Sequence, residues 1–443
     1  MKTVTMNDNS QNDKSYLIEN IPQIVQKVAD RTLEELEKEG IFVFPNTIKE
    51  SRDLTKEQMI LQSYNGNYCS TNVMGFLGYG NERLIIKSRF SSDEQDYFFK
   101  YLLERVMLLP NILELETDAN PDSKLFQFFI FLFPYYLKKA VRKGLFKTYI
   151  HRNYNDYNLK GVIDIPQHIK KNTPFVGKIA YSQREHSCDN DLMELIRHTI
   201  EFIKKKPYGK RILVKVKDEI TLITEITKKY NPYEKEKIII KNKKNIIRHA
   251  YYHEYRMLQR LCILILQNQK HQIGSGMNKI YGILFDGAWL WEEYMNWLIG
   301  KSFYHPKNKE NKGVQHLFAG GEGCIYPDFI SMNNSERIIA DAKYKPIGNI
   351  RNQDYFQILA YMMRFEAKTG IYLYPEQQED KNSLTLWLNT GSTYEKNEQN
   401  GQNIKVIKHG LNIPNDAKNY CEFLEKMKKS EKKFMELFDE IYC

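Results

Sequence analysis

Cysteine is scarce in this 443-residue chain. Its six cysteines, at 69, 188, 262, 324, 421 and 443, form no C-x-x-C pair. That scatter excludes a zinc ribbon and a disulfide framework and fits a reducing, cytoplasmic setting. A phosphate-binding G-x-x-x-x-G-K-[ST] loop is also missing, since Gly177-Lys178 and Gly209-Lys210 lack the upstream glycine. The chain is therefore expected to bind no nucleotide of its own. Long apolar runs are absent as well. The most apolar stretch, Leu125 to Leu137, is broken by Gln127 and Pro134 and is too short to cross a bilayer, so it reads as a buried helix. The polar N-terminus lacks the apolar centre of a secretory signal, and no membrane partner is expected. There is no internal repeat and no low-complexity tract.

What remains is a globular composition, 42% hydrophobic and 13% aromatic, with enough apolar material for sizeable cores. The length favours about two or three domains. Lys plus Arg exceed Asp plus Glu by 65 − 55 = 10, a balance that suits a polyanionic partner such as DNA. A Lys-, Asn- and Ile-rich composition gives the same excess without any partner. The pattern predicts a flexible tail over 1–17, a mixed α/β region over 18–270 with a helical middle and a charged excursion over 204–248, and a second domain over 280–443. The polar, glycine-containing stretch from Asn268 to Lys279 marks the boundary. The fold class is α+β.

The chemistry concentrates in one hairpin. Ile325-Tyr326-Pro327-Asp328-Phe329-Ile330 is followed by a polar turn at Asn333-Asn334-Ser335, then by Arg337-Ile338-Ile339-Ala340-Asp341-Ala342-Lys343-Tyr344-Lys345. Strand side chains alternate faces, so Asp341, Lys343 and Lys345 share one face while Ala340 and Ala342 pack on the other. Asp328, at the start of the partner strand, is placed to reach the same spot. Two carboxylates beside a lysine make a hard-oxygen site for Mg2+, with Mn2+ as a substitute, and an ammonium next to it. Taken alone, an Asp-x-Lys reads as a solvated surface pair.

Two flanking helices change that reading. Phe285 to Ile299 is strongly apolar yet carries Glu292 and Glu293 side by side. Charges beside tryptophans call for a partner, so one glutamate is expected to face inward. About 100° of rotation per residue keeps the other outside. Downstream, Asp354 to Phe365 places Gln357 and Tyr361 at i, i+4 on one face.

This order of helix, acid-acid-lysine hairpin and helix resembles the PD-(D/E)xK nuclease superfamily, with Pro327-Asp328 and Asp341-Ala342-Lys343 as its signature. More narrowly the chain is similar to the McrC family. Trp291-Glu292-Glu293-Tyr294 matches that family's Phe/Trp-Glu-x-Tyr helix. Asp354, Gln357, Ala360 and Tyr361 match its D-x-x-Q-x-x-A-Y helix. The family's early glycine-containing hairpin has its counterpart in Val73 to Gly78 and Leu84 to Lys87, and its central segments in Tyr157 to Ile165 and Tyr181 to Asn190. Ser88-Arg89 departs from the Pro-Lys pair found there. The resemblance implies an endodeoxyribonuclease domain with Asp328, Asp341 and Glu292 around Mg2+, Lys343 beside them, and Gln357, Tyr361 and Lys345 in support. It also implies the nuclease subunit of a modification-dependent restriction system, acting on double-stranded DNA with a GTP-driven McrB-like AAA+ motor that the 18–270 region engages.

A sequence-specific endonuclease of the LlaJI type is an alternative within the same chemistry. A non-catalytic DNA-binding or ring-capping subunit is another, against which stands the intact Asp328, Asp341 and Lys343 set. Four further features carry less. His249 and His253 are spaced i, i+4 but have no third ligand in view. The 241–245 KNKKN cluster fits either a DNA backbone or a solvated loop. Asp286 reads as a helix N-cap, and Cys324 shows no mark of a nucleophile.

Overall fold

The computed structural model describes residues 2–39, 41–44, 58–91, 96–106, 121–247, 250–267, 280–306, 314–333, 336–377, 383–393, 396–399 and 404–442. The chain is α+β and divides into two compact units, one made of Met1–Leu113 with Gly274–Cys443 and one of Glu114–Ile273. The first unit is thus discontinuous in sequence. The Asn268–Lys279 stretch expected to mark a boundary lies outside the described residues.

The first unit holds two sheets. Its five-stranded sheet runs in the order Lys2–Asn7, Glu82–Lys87, Val73–Tyr79, Tyr281–Asp286, Phe42–Phe44. The residues read as a polar tail therefore begin with a strand, parallel to Glu82–Lys87. Val4 and Met6 alternate with polar neighbours and are buried, and two inward side chains suffice when a sheet edge is waiting for them. Val4, Leu77, Leu84, Ile86 and Leu284 join one core beneath this sheet.

The strand Tyr281–Asp286 runs straight into the helix Gly287–Ile299, where Asp286 accepts from the amide of Ala288 at 3.0 Å. The second sheet follows: Phe303–Tyr304, Phe329–Ser331, Ile338–Ala342, Thr369–Glu376, Lys405–Asn412, Ser383–Trp387. Its centre is parallel and buried, its two ends antiparallel. The helix Asn352–Phe365 covers one face through Ile358, Tyr361, Met362 and Phe365, which pack with Ile339, Tyr372 and Tyr374. The C-terminal helix Tyr420–Tyr442 joins the unit through Glu431, which accepts from the hydroxyls of Tyr294, at 2.7 Å, and Tyr101.

The second unit is helical, built around Asp191–Lys204, which buries nine of its fourteen residues. The helices Pro121–Val141, Lys235–Lys244 and His253–Gln267 belong to it. A long antiparallel ribbon, Thr148–Asp156 with Ile179–Ser187, stands beside them. The segment between its strands keeps only Val162–Ile163 as strand and then turns into the helix Ile165–Lys171. Pro166 ends the pairing: it has no amide hydrogen to donate and suits the first turn of a helix. Among the described residues no helix is long and apolar enough to cross a membrane.

Candidate active site

Asp328 directly precedes the strand Phe329–Ser331, and Lys343 directly follows Ile338–Ala342; the two strands pair with Phe329 opposite Ala340. This register lets Asp328 turn back across the hairpin, where its Oδ2 accepts from the amide of Ala342 at 2.9 Å. On the neighbouring strand Asp341 is buried, and its Oδ2 lies 2.6 Å from Lys343 Nζ. The helix Gly287–Ile299 brings Glu292, also buried, to the same place. Two contacts fix that helix against the second sheet and the residues that follow the hairpin. Trp291 Nε1 donates to the carbonyl of Leu373 at 2.9 Å, and a Cβ on Gly287 would sit 2.7 Å from the ring of Tyr344, so only glycine lets the helix start so close.

The electrostatics follow from the crowding. Burial, then the charges of Glu292 and Asp341, push the Asp328 carboxyl well above the ordinary carboxylate range, although Lys343 and the Ala342 amide pull the other way. Burial alone would lower Lys343, but Asp341, Asp328 and Asp354 outweigh it and hold the ammonium charged. The Gln357 and Tyr361 pair then orients that ammonium. Gln357 Oε1 accepts from Lys343 Nζ at 2.9 Å, and Gln357 Nε2 donates to the Tyr361 hydroxyl at 2.6 Å. Burial and the nearby Asp341 carry the Tyr361 phenol up to about 12, so it stays neutral. Lys345 faces Asp354, with Nζ 2.8 and 2.7 Å from its two oxygens. An open groove of about 660 Å³, lined by Lys345, Asn349, Arg351, Asn352 and Gln353, runs beside this pair.

Among the described residues no three acidic, histidine or cysteine side chains converge into a ready-made metal cage. Yet Asp328 carries the charge repulsion of two neighbouring carboxylates with one lysine against them. That donor set fits Mg2+, which is commonly held by one or two carboxylates and completes its shell with water and phosphate oxygens.

The site brings together Asp328, Asp341, Lys343, Glu292, Gln357, Tyr361 and Lys345. Of the adjacent glutamates, Glu292 faces the carboxylates and Glu293 is half-buried toward His305. His305 is a member that the sequence reading missed. Its Nδ1 lies 2.9 Å from the carbonyl of Asp328, its ring stacks on Phe329 with centroids 5.0 Å apart, and its Nε2 is 3.7 Å from Glu292 Oε1 and 3.8 Å from Glu293 Oε1. Burial would lower its pKa, but the two glutamates and that carbonyl together raise it. A lone histidine 23 residues ahead of Asp328 offers no spacing signal.

Arg89, too, has a place. Its Nη2 donates to the carbonyl of Tyr344 at 2.6 Å and to Asn72 Oδ1 at 2.8 Å, and its guanidinium lies over the Tyr344 ring. Ser88 Oγ is 2.7 Å from the Tyr344 hydroxyl. Tyr344 sits between Lys343 and Lys345, so the residues that depart from the family's Pro-Lys pair hold the backbone of the lysine strand.

The other candidates lie elsewhere. Exposed His253 pairs with Glu254 at 3.3 Å, and His249 is outside the described residues. The KNKKN cluster is the end of a helix, with Lys241 2.7 Å from Asp191. Cys324 is exposed, its sulfur 3.8 Å from His316 Nδ1.

No curated protein matches the chain. Among solved structures it is similar to a chain of the refined half-complex from the tetradecameric assembly of Thermococcus gammatolerans McrB AAA+ hexamers with bound McrC. There the identity is 14%, the TM-score 0.45, and 96% of this chain and 99% of that one are covered. A chain of the cryo-EM structure of the Thermococcus gammatolerans McrBC complex matches at 15% identity and a TM-score of 0.29, over 68% of this chain and 87% of that one. The family model described as the McrBC 5-methylcytosine restriction system component matches residues 70–375. The chain belongs to that family.

Proposed function

We propose that this protein is the Mg2+-dependent endonuclease subunit of a 5-methylcytosine-directed restriction system, cutting double-stranded DNA together with a GTP-driven AAA+ motor of the McrB kind. The observation that carries the reading is the cluster of half-buried Asp328 with buried Asp341 and Glu292, and Lys343 held charged among them.

Phosphodiester hydrolysis uses each part. Asp328, Asp341 and Glu292 would hold Mg2+, which supplies a polarised phosphate and a water of lowered pKa when bound. Lys343, kept cationic and aimed by Gln357, offsets the negative charge that grows on the phosphate oxygens. Tyr361 keeps Gln357 in place, and Asp354 keeps Lys345 beside the groove, where DNA phosphates would run.

The motor would be a separate polypeptide, since the sequence offers no phosphate-binding loop. Its docking surface falls on the second unit. Around the ribbon and its helix, Tyr157, Val162, Ile165, Ile169, Phe175 and Val176 are each more than half exposed, an apolar patch of the sort that a partner covers. The test is cleavage of methylated and unmethylated plasmid by the purified chain, with GTP and with or without the McrB-like subunit. Cutting of methylated DNA that needs both proteins is the expected result. Cutting of unmethylated plasmid at a fixed sequence by this chain alone, or GTP turnover by it, overturns the two-subunit reading.

A further inference from the structure

Among the described residues, the polar and ring contacts of His305 run to members of the carboxylate cluster or to their immediate neighbours. A carbonyl oxygen can only accept, so Nδ1 must carry the proton in the 2.9 Å contact with Asp328. That bond grips the backbone of the residue whose side chain reaches Ala342. The opposite ring nitrogen lies between Oε1 of Glu292 and Oε1 of Glu293, and the ring rests flat on Phe329, which follows Asp328. One imidazole, with a side chain only 4% exposed, therefore spans two elements: the loop that presents Asp328 and the helix that presents Glu292. The two contacts that seat the Glu292 helix fall elsewhere. Trp291 reaches Leu373 two strands away, and Gly287 abuts Tyr344 past the other end of the hairpin.

We propose that His305 is the positioning residue of the metal site, fixing the spacing between the Asp328 and Glu292 carboxylates by its Nδ1 hydrogen bond to the Asp328 carbonyl. The proposal rests on the nuclease reading above. It assigns His305 no contact with substrate and no proton to transfer. The reasoning is geometric. Neighbouring carboxylates repel one another, and without the clasp Asp328 and Glu292 would drift apart unless a cation held them. The clasp keeps the oxygens spaced for Mg2+ before it arrives, so less binding energy is spent on ordering the site. Outer partners of this sort commonly change metal affinity by about 10–100-fold when removed.

Amide side chains make the test specific. The Asn amide nitrogen can occupy the place of Nδ1, and the Gln amide nitrogen that of Nε2. Full-length wild-type, His305→Ala, His305→Asn and His305→Gln chains are compared by Mn2+ titration calorimetry, by Mg2+ dependence of plasmid cleavage with the motor subunit, and by melting temperature. Asp341→Asn serves as the control. The expected result is a loss of Mn2+ affinity of ~10-fold or more in His305→Ala, with the Mg2+ requirement for cleavage raised in parallel. His305→Asn recovers most of that loss, and His305→Gln recovers little.

Unchanged Mn2+ affinity in His305→Ala, while Asp341→Asn loses it, overturns the clasp and leaves the nuclease reading intact. A lowered melting temperature with wild-type Mn2+ affinity also overturns it, because it assigns His305 to packing alone. Recovery by Gln and not by Asn overturns the role of the Asp328 carbonyl. If the wild-type chain binds no Mn2+ at all, the metal reading and the clasp fall together; if it binds Mn2+ but cuts no DNA, the calorimetry still decides the clasp.

Discussion

Asp8 offers a prediction whose magnitude can be worked from the structure. Its side chain is fully buried, its Oδ1 accepts from the amide of Arg89 at 2.6 Å, and Oδ2 lies 3.7 Å from the Arg89 guanidinium. Burial raises its carboxyl from the ordinary 3.8 to about 6, against the pull of Arg89. A rise of that size corresponds to about 3 kcal/mol of penalty on the ionised form in the folded state. Below pH 3.8 the carboxyl is protonated in both states and contributes nothing. Between about 4 and 6 the folded state binds more protons than the unfolded one, so stability falls as pH rises, and above about 6 the whole penalty is present. Asp8→Asn keeps the acceptor and removes the charge. It should therefore stabilise the protein by about 2–3 kcal/mol at pH 8, with the advantage vanishing near pH 4. Urea unfolding followed by tryptophan fluorescence is the assay. All four tryptophans, at 289, 291, 297 and 387, lie in the same unit as Asp8. An Asp8→Asn chain no more stable than wild type at pH 8 would show that the Arg89 pairing outweighs burial, and the argument would fail.

Three further outcomes follow. Asp341→Asn and Lys343→Ala should each cut plasmid at least about 10³-fold more slowly with the fold intact by circular dichroism, since on the proposed reading the first removes a carboxylate that would hold Mg2+ and the second a cation beside the phosphate; near wild-type cleavage by either would refute the site. Glu292→Gln should raise the Mg2+ concentration for half-maximal cleavage by about 10-fold, whereas Glu293→Gln, on the His305 side, should shift it by less; the reverse order would place the register one residue off. Arg89→Ala should lower the unfolding free energy obtained from urea denaturation by about 2–4 kcal/mol, because it leaves Asp8 buried without its partner and frees the Tyr344 carbonyl, and much of that loss should disappear in the Asp8→Asn background.

The legible part of this molecule is the part with a period. Ile339 to Lys345 alternates, Gln357 and Tyr361 are one helical turn apart, and adjacent Glu292 and Glu293 had to diverge; from these the hairpin, the lysine and its supporting glutamine could be placed. The strand Lys2–Asn7 alternates too, but only Val4 and Met6 turn inward, too few to tell from a polar tail until the partner strand Glu82–Lys87 is known. The return of Gly274–Cys443 to the unit begun by Met1–Leu113 has no local trace. Closure of a chain over a 160-residue excursion is decided by which cores match, and no window of sequence contains both.

The supports of the site were hidden for a different reason. His305 holds the carbonyl of Asp328, Arg89 the carbonyl of Tyr344, and Trp291 the carbonyl of Leu373. Each acceptor is a main-chain oxygen, and every residue type carries the same one. A side chain that grips backbone leaves no partner residue to find, so a donor such as His305 or Arg89 reads as an ordinary polar residue wherever it falls. On the proposed reading the carboxylates and the lysine are different, because Mg2+ and phosphate would accept few substitutes for them. Chemistry therefore constrains which residues stand at 328, 341 and 343, while geometry constrains only where a donor must arrive. Donors of this kind should be sought first in folded coordinates, at the backbone carbonyls that flank each catalytic residue.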